Sequence, residues 1–189
     1  MTDVGLRKPV VVGTKIYLRF PELGDLKEFI ALNLASKRLH RGLASPPTRP
    51  EQFRALVKKC RQDDFVGFFV CRVDDGTIVG SINLSQIFRG GFQNAYLGYH
   101  VGAEHARRGY MSEAIELVLK YAFENLRLHR VEANIQPRNL ASIAVVKLAG
   151  FVCEGYSRRY LKVCGRWRDH ERWAILAEDW RAKRRKRNK

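Results

Sequence analysis

The chain has 189 residues, 46% of them hydrophobic, and carries 35 lysines and arginines against 19 aspartates and glutamates, for a formal net charge of +16. That is enough apolar material for one domain with a full core. No apolar run reaches the roughly 20 residues of a membrane span and the first residues lack the apolar core of a secretion signal, so a cytoplasmic enzyme with no membrane contact is expected. A first strand is expected over 15–20, then helices over 23–35 and 50–62, separated by a proline-rich stretch over 39–50 that reads as a substrate-flanking loop. A meander follows, with strands over 65–73, 77–85 and 94–101 and Asp74-Asp75-Gly76 as a hairpin turn. Met111, Ala114, Ile115, Val118, Leu119, Ala122 and Phe123 keep helical spacing, which predicts a long amphipathic helix ending near Asn125. A strand over 130–135, a helix over 141–148 stopped by Gly150, and strands near 152–160 and 172–176 complete one mixed α/β domain over 1–180. Cys60, Cys71, Cys153 and Cys164 lack metal-ligand spacing and read as buried, reduced thiols, and no metal is expected.

The strand ending at Val101 runs through Gly102 and His105 into Ala106-Arg107-Arg108-Gly109-Tyr110-Met111, after which the long helix begins. A helix N-terminus offers unpaired N–H groups and a positive dipole end to an anion, the two arginines add charge, and Gly109 permits close approach or positive φ. Read alone, these residues fit either a cradle for a nucleotide-like cofactor or an ordinary solvated turn. Neither the P-loop nor the dinucleotide glycine fingerprint occurs in the chain.

The order of these parts resembles the GNAT superfamily of acetyl-coenzyme A dependent N-acetyltransferases, whose motif A is a strand, an R/Q-x-x-G-x-G/A loop and a helix. Here Gly109 keeps the central glycine, while Ala106 and Met111 replace the outer positions. The run Gly109-Tyr-Met-Ser-Glu-Ala114 is similar to the RimJ/RimL branch, which acetylates ribosomal-protein N-termini. Leu128-His-Arg-Val131, Asn139-x-x-Ser142, Gly150-Phe151, Glu154-Gly155-Tyr156 and Gly165-Arg-Trp167-Arg-Asp169-His170 extend the match in family order, the last nearer RimJ than RimL. The resemblance implies a mostly antiparallel, splayed central sheet flanked by helices, with acetyl-coenzyme A as co-substrate. It also implies that the acetyl carbonyl is held by N–H groups around Val101 and Gly102, the pyrophosphate by residues 105–111, and the pantetheine arm by Asn139.

For catalysis the resemblance makes Ser142 the candidate general acid, a position where serine also serves as a helix cap. The glutamate and tyrosine of RimI-like members are replaced by Asn134 and Val146, and the RimL-like glutamate by Leu161. The remaining base candidates are Glu132, on the strand face shared with Asn134, together with Tyr96, Asp169 and His170. Water can also take the proton, because an α-amine with a pKa of about 7.7 to 8 is partly neutral at pH 7. His100 reads as a packing or hydrogen-bonded neighbour, and Trp167, Trp173 and Trp180 as packing or acyl-site residues.

Residues 181–189 hold seven positive charges and no negative one, and the rest of the chain still carries +9. This tail is expected to be disordered and either a solubilising extension or a contact for RNA or the ribosome. The resemblance implies a protein N-terminal amine as the acceptor, that of a ribosomal protein. The alternatives are a small amine such as an amino acid, polyamine or aminoglycoside, or a non-catalytic RNA-binding module on the same scaffold. The assembly reads as monomer or dimer.

Overall fold

The computed structural model describes residues 8–60 and 62–187; the expectations on the first seven residues and on Asn188 and Lys189 lie outside the described residues. In chain order the elements are β1 (Val11–Val12), β2 (Ile16–Arg19), α1 (Leu26–Ala35), α2 (Lys37–His40), α3 (Pro50–Lys59), β3 (Phe65–Arg72) and β4 (Ile78–Phe88). They continue with β5 (Asn94–Val101), α4 (Tyr110–Lys120), β6 (Arg130–Ile135), α5 (Leu140–Ala149), β7 (Val152–Val163), β8 (Arg166–Leu176) and α6 (Ala177–Arg187). The strands form one sheet in the order β1-β2-β3-β4-β5-β6-β8-β7. Every neighbouring pair is antiparallel except β5 and β6, as the family pattern implies.

That one parallel pairing covers only Asn94↔Arg130, Ala95↔Val131 and Tyr96↔Glu132, after which the two strands part and the sheet splays. Alternation sends Leu97, Val131 and Ala133 to one face, where they pack with Ile115, Val118 and Leu119 of α4 and Val146 of α5. The other face is filled by Phe29 of α1, Phe53 of α3 and Phe69 of β3, with the Phe29 and Phe69 ring centroids 4.4 Å apart. Helices therefore cover both faces, and the cleft opens between them at the C-terminal ends of β5 and β6.

The long helix does not run regularly to Asn125. It closes at Lys120 and continues as a wider π-type turn over Tyr121–Asn125, in which Leu126 N–H donates to Tyr121 O. The wider turn still buries Phe123, whose ring lies 5.4 Å from that of Trp180.

A second difference lies at the C-terminus, where most of the segment expected to be disordered is helical. Trp180 is buried and anchors α6. The Lys183 ammonium donates to Leu148 O and lies 3.6 Å from Glu116, while Arg184 pairs with Glu124 at 2.8 Å and lies over the Trp180 ring. These partners neutralise basic residues that appear in sequence only as a self-repelling run.

The cysteine expectation holds for Cys71 and partly for Cys60, whose thiols burial pushes up to about 11. It fails for Cys153, which lies on the edge strand β7, and for Cys164, which lies in the turn between β7 and β8; both are exposed. Trp173 and Trp180 are packing residues, but Trp167 is 62% exposed near the tip of the β7–β8 hairpin.

Candidate active site

The loop before α4 forms a cationic concavity around a helix end. Gly109 is the N-cap residue at φ +81°, a left-handed conformation that glycine adopts without strain. The first helical bond of α4 runs from Glu113 N–H to Gly109 O, so Tyr110, Met111 and Ser112 present N–H groups with no partner inside the helix. Arg107 and Arg108 are exposed, and among the described residues neither is paired with a carboxylate. The Met111 side chain turns into the core, which leaves only its backbone for a ligand. His105 is buried, 3.3 Å from the Glu104 carboxylate, with its ring edge-on to Tyr110 at 6.3 Å.

Sequence reasoning missed Lys15. The N–H groups of Thr14 and Lys15 both donate to the Glu113 carboxylate, which pins the β1–β2 turn against the first turn of α4. The Lys15 ammonium then sits 4.0 Å from where a Gly109 Cβ would stand. Only the long-range contact brings this cation to the loop. From Gly109 a groove of about 760 Å³ continues between α4, α5 and α6 towards Lys183 and Arg184.

Beyond Tyr96 and Glu132, β5 faces the gap. Gly80↔Val101 is a register pair of β4 and β5, and Gly102 N–H donates to Val79 O at 2.8 Å, so Val101 N–H points away from β4 into the cleft. Of the two amides expected to hold an acetyl carbonyl, Val101 is the available one and Gly102 is not. The opposing wall is the start of α5. Its N-cap is Asn139, whose Oδ1 accepts from Ser142 N at 3.2 Å, so Ser142 is not the capping residue and its hydroxyl is not used for that purpose. Tyr99, which sequence reasoning also missed, spans the cleft by donating its hydroxyl to Ser142 O at 3.3 Å. Burial pushes the Tyr99 phenol up to about 12, with the contact to Ser142 acting the other way.

The proposed bases fare unevenly. Glu132 and Asn134 share a face as expected, but the Glu132 carboxylate accepts from Arg130 Nε at 2.8 Å and from Asn94 Nδ2 at 3.2 Å. Tyr96 faces it across the last paired position, and burial, then the Glu132 charge, raises its phenol. Asn134 keeps a buried Oδ1 with no hydrogen-bond partner. Asp169 accepts from Tyr156 OH at 2.6 Å and from Arg159 N–H at 2.7 Å, and His170 is buried with Nδ1 3.0 Å from Arg168 O. The site thus brings together Tyr96, Tyr99, Val101, Glu132, Asn134, Asn139 and Ser142, with no uncommitted carboxylate among them.

The acceptor side is closed by the loop after α2. Asn33 Nδ2 donates to Pro47 O at 2.8 Å, which turns Asn33 Oδ1 towards His100 Nε2 at 3.0 Å, so that nitrogen carries the proton and Nδ1, 3.2 Å from Ser81 Oγ, accepts. Burial, then the nearby His40, holds His100 down to about 3. His100 is therefore a neutral structural link, as its strand position suggests. Gly42 O accepts from both Gln136 Nε2 and Arg138 Nη2, at 2.9 and 2.8 Å. At Gly42 a Cβ would stand 2.5 Å from that guanidinium nitrogen. The tip of the β7–β8 hairpin reaches the same loop, with Cys164 Sγ 3.3 Å from Ser45 Oγ. Among the described residues no cluster of His, Cys, Asp or Glu could hold a metal ion, and no helix is long and apolar enough to cross a membrane.

A splayed sheet, a left-handed glycine opening a cationic helix end and a capped helix across the gap define an acyltransferase cleft. The model of the acetyltransferase (GNAT) domain matches residues 15–152, and the chain belongs to that family. It is similar to Probable N-acetyltransferase YjcK of Bacillus subtilis, 33% identical over 175 residues that cover 88% of this chain and 97% of that protein. It is also similar to the [ribosomal protein uS5]-alanine N-acetyltransferase of Escherichia coli, 37% identical over 107 residues, 57% of this chain and 55% of the relative. Among solved structures, Mycobacterium smegmatis RimJ in complex with CoA-disulfide superimposes with a TM-score of 0.78 at 28% identity, over 86% of this chain and 82% of that one. The chain is accordingly an N-acetyltransferase of the GNAT kind, similar to the RimJ/RimL group.

Proposed function

We propose that this acetyltransferase moves the acetyl group of acetyl-coenzyme A to the N-terminal α-amine of a protein. The observation that carries the reading is that, among the described residues, no carboxylate at the splay is uncommitted, since Glu132 is paired with Arg130, which it shares with Glu154. A small polycation would need anionic groups there, and a strongly basic amine would need a dedicated base. An α-amine with a pKa of about 7.7 to 8 needs neither, because it reaches the cleft partly neutral and passes its remaining proton to water.

In the proposed reaction the pyrophosphate lies on the N–H groups of Tyr110, Met111 and Ser112, beside Lys15, His105, Ala106, Arg107, Arg108 and Gly109. The nucleotide end enters the groove along α4. The pantetheine passes Asn139, and Val101 N–H donates to the thioester carbonyl. The amine nitrogen forms its bond to the carbonyl carbon, the oxygen gains negative charge against Val101 N–H, and the C–S bond then breaks. The leaving thiolate is protonated through the Ser142 hydroxyl, which Tyr99 adjoins and which takes back a proton in the same step from the water that received the one lost by the amine nitrogen. Tyr96 and Asn134 line the amine's approach, and the Asn134 Oδ1 accepts from the incoming N–H. The resemblance to a ribosomal-protein acetyltransferase supports a protein acceptor, and the basic tail is proposed to contact RNA. Release of coenzyme A with a free-N-terminus peptide, and none with the same peptide N-terminally blocked, tests the reading; equal release with both refutes it.

A further inference from the structure

We infer that the pocket at the mouth of the splay, between the β6–α5 connection and the β7–β8 hairpin, binds an acidic side chain close to the acceptor's N-terminus. This inference rests on the peptide acceptor proposed above. The pocket measures about 390 Å³ and is lined by Gln136, Arg138, Tyr156, Trp167, Arg168 and Asp169. It begins where β6 ends at Ile135 and stops just before the α5 cap Asn139, so it adjoins the acetyl-transfer centre on the side of the loop around Gly42.

Its charges are unbalanced. Arg168 Nε is buried without a hydrogen-bond partner, and among the described residues its guanidinium forms no ion pair. Arg138 is tied to a carbonyl, Gly42 O, and to no carboxylate. The one carboxylate in the lining, Asp169, is occupied by Tyr156 OH and Arg159 N–H. Two guanidiniums that match a carboxylate in geometry therefore line a cavity that supplies no free one. A buried donor left unpaired is costly, and an incoming carboxylate relieves that cost. Trp167, exposed at 62%, gives the pocket an apolar wall suited to the methylene stem of aspartate or glutamate.

The test uses the full chain, acetyl-coenzyme A and a set of short peptides with a free N-terminal alanine, in which one of the following few positions is Glu, Gln or Lys. The wild type should favour Glu over Gln at one position by about tenfold or more in kcat/KM, with Lys worst, and added salt should shrink the ratio. Arg168→Gln should bring the Glu/Gln ratio close to one, and Arg168→Lys should recover part of it. A wild-type ratio of one at every position overturns the pocket assignment whatever the variants do. An unchanged ratio in Arg168→Gln overturns the role of Arg168. If no peptide is acetylated while spermidine is, the peptide-acceptor reading itself has failed and the pocket's role falls with it.

Discussion

Tyr96 and Glu132 are the last register partners of the parallel ladder between β5 and β6, and past them the two facing edges have no strand partner across the gap. The Glu132 carboxylate is drawn back towards Asn94 and towards Arg130, whose guanidinium it shares with Glu154, so the opening begins beside a committed acid. The cleft that follows is lined by N–H groups, phenols and amides, with cations at the α4 end.

The anion cradle predicts a direct loss of affinity. Arg107→Ala with Arg108→Ala should weaken acetyl-coenzyme A binding by about 1 to 3 kcal/mol, towards the lower figure because both side chains are exposed. Lys15→Ala should add to that loss. Calorimetric titration reads both, and unchanged affinity in the triple variant excludes the loop as the pyrophosphate site.

Capping and catalysis separate at α5, because Asn139 holds the cap. Asn139→Ala should cost about 1 kcal/mol of stability. Ser142→Ala should instead leave the melting temperature in place and lower kcat, with little change in coenzyme A affinity. A Ser142→Ala enzyme that is destabilised yet turns over normally would assign Ser142 a structural role only.

Much of this was legible in the sequence. The 94–101 strand and the helical spacing of Met111 to Leu119 are local patterns, and both survive in three dimensions because each element buries one face against a neighbour that the pattern itself demands. Gly109 and Gly150 were readable for the same reason, since backbone conformation is short-range, whereas the α5 cap fell on Asn139 and not on Ser142 because the helix starts at Leu140. Lys15 and Tyr99 were not, because their partners Glu113 and Ser142 lie far along the chain. Gly102 looked available because its bond to Val79 O depends on the register of β4. The tail looked disordered because composition counts its charges without showing that Glu116 and Glu124 lie opposite.

Acid should expose the His100 link. An unfolded histidine takes up a proton as pH falls through about 6.5, whereas folded His100 does so only near about 3. The folded value is depressed, so the stability it contributes is complete above about pH 6.5 and is lost as pH falls through the window below, by up to about 1.4 kcal/mol per pH unit. Urea titrations of wild type and His100→Gln at about pH 7.5 and about pH 5 check this. The wild type should lose more stability on acidification than the variant, and parallel losses would remove His100 as the cause.

Lys183 and Arg184 are committed to the body of the protein, so among the described residues the RNA contact proposed above would rest on the exposed Arg181, Arg185 and Lys186. Replacing these three with alanine should weaken RNA binding and lower the dependence of log affinity on log salt by roughly 2 to 3, since each lost phosphate contact removes about one unit. Peptide turnover should stay as it was. Binding with an unaltered salt slope would make the C-terminus a packing element alone.

Which amine is acetylated is decided by one competition. A peptide carrying both a free α-amine and an internal lysine is incubated with the enzyme, acetyl-coenzyme A and spermidine in the same vessel, and products are mapped by tandem mass spectrometry. The peptide's α-amine should be acetylated in preference to the lysine ε-amine and to spermidine. Modification of spermidine or the lysine in preference to the α-amine would contradict the proposed function.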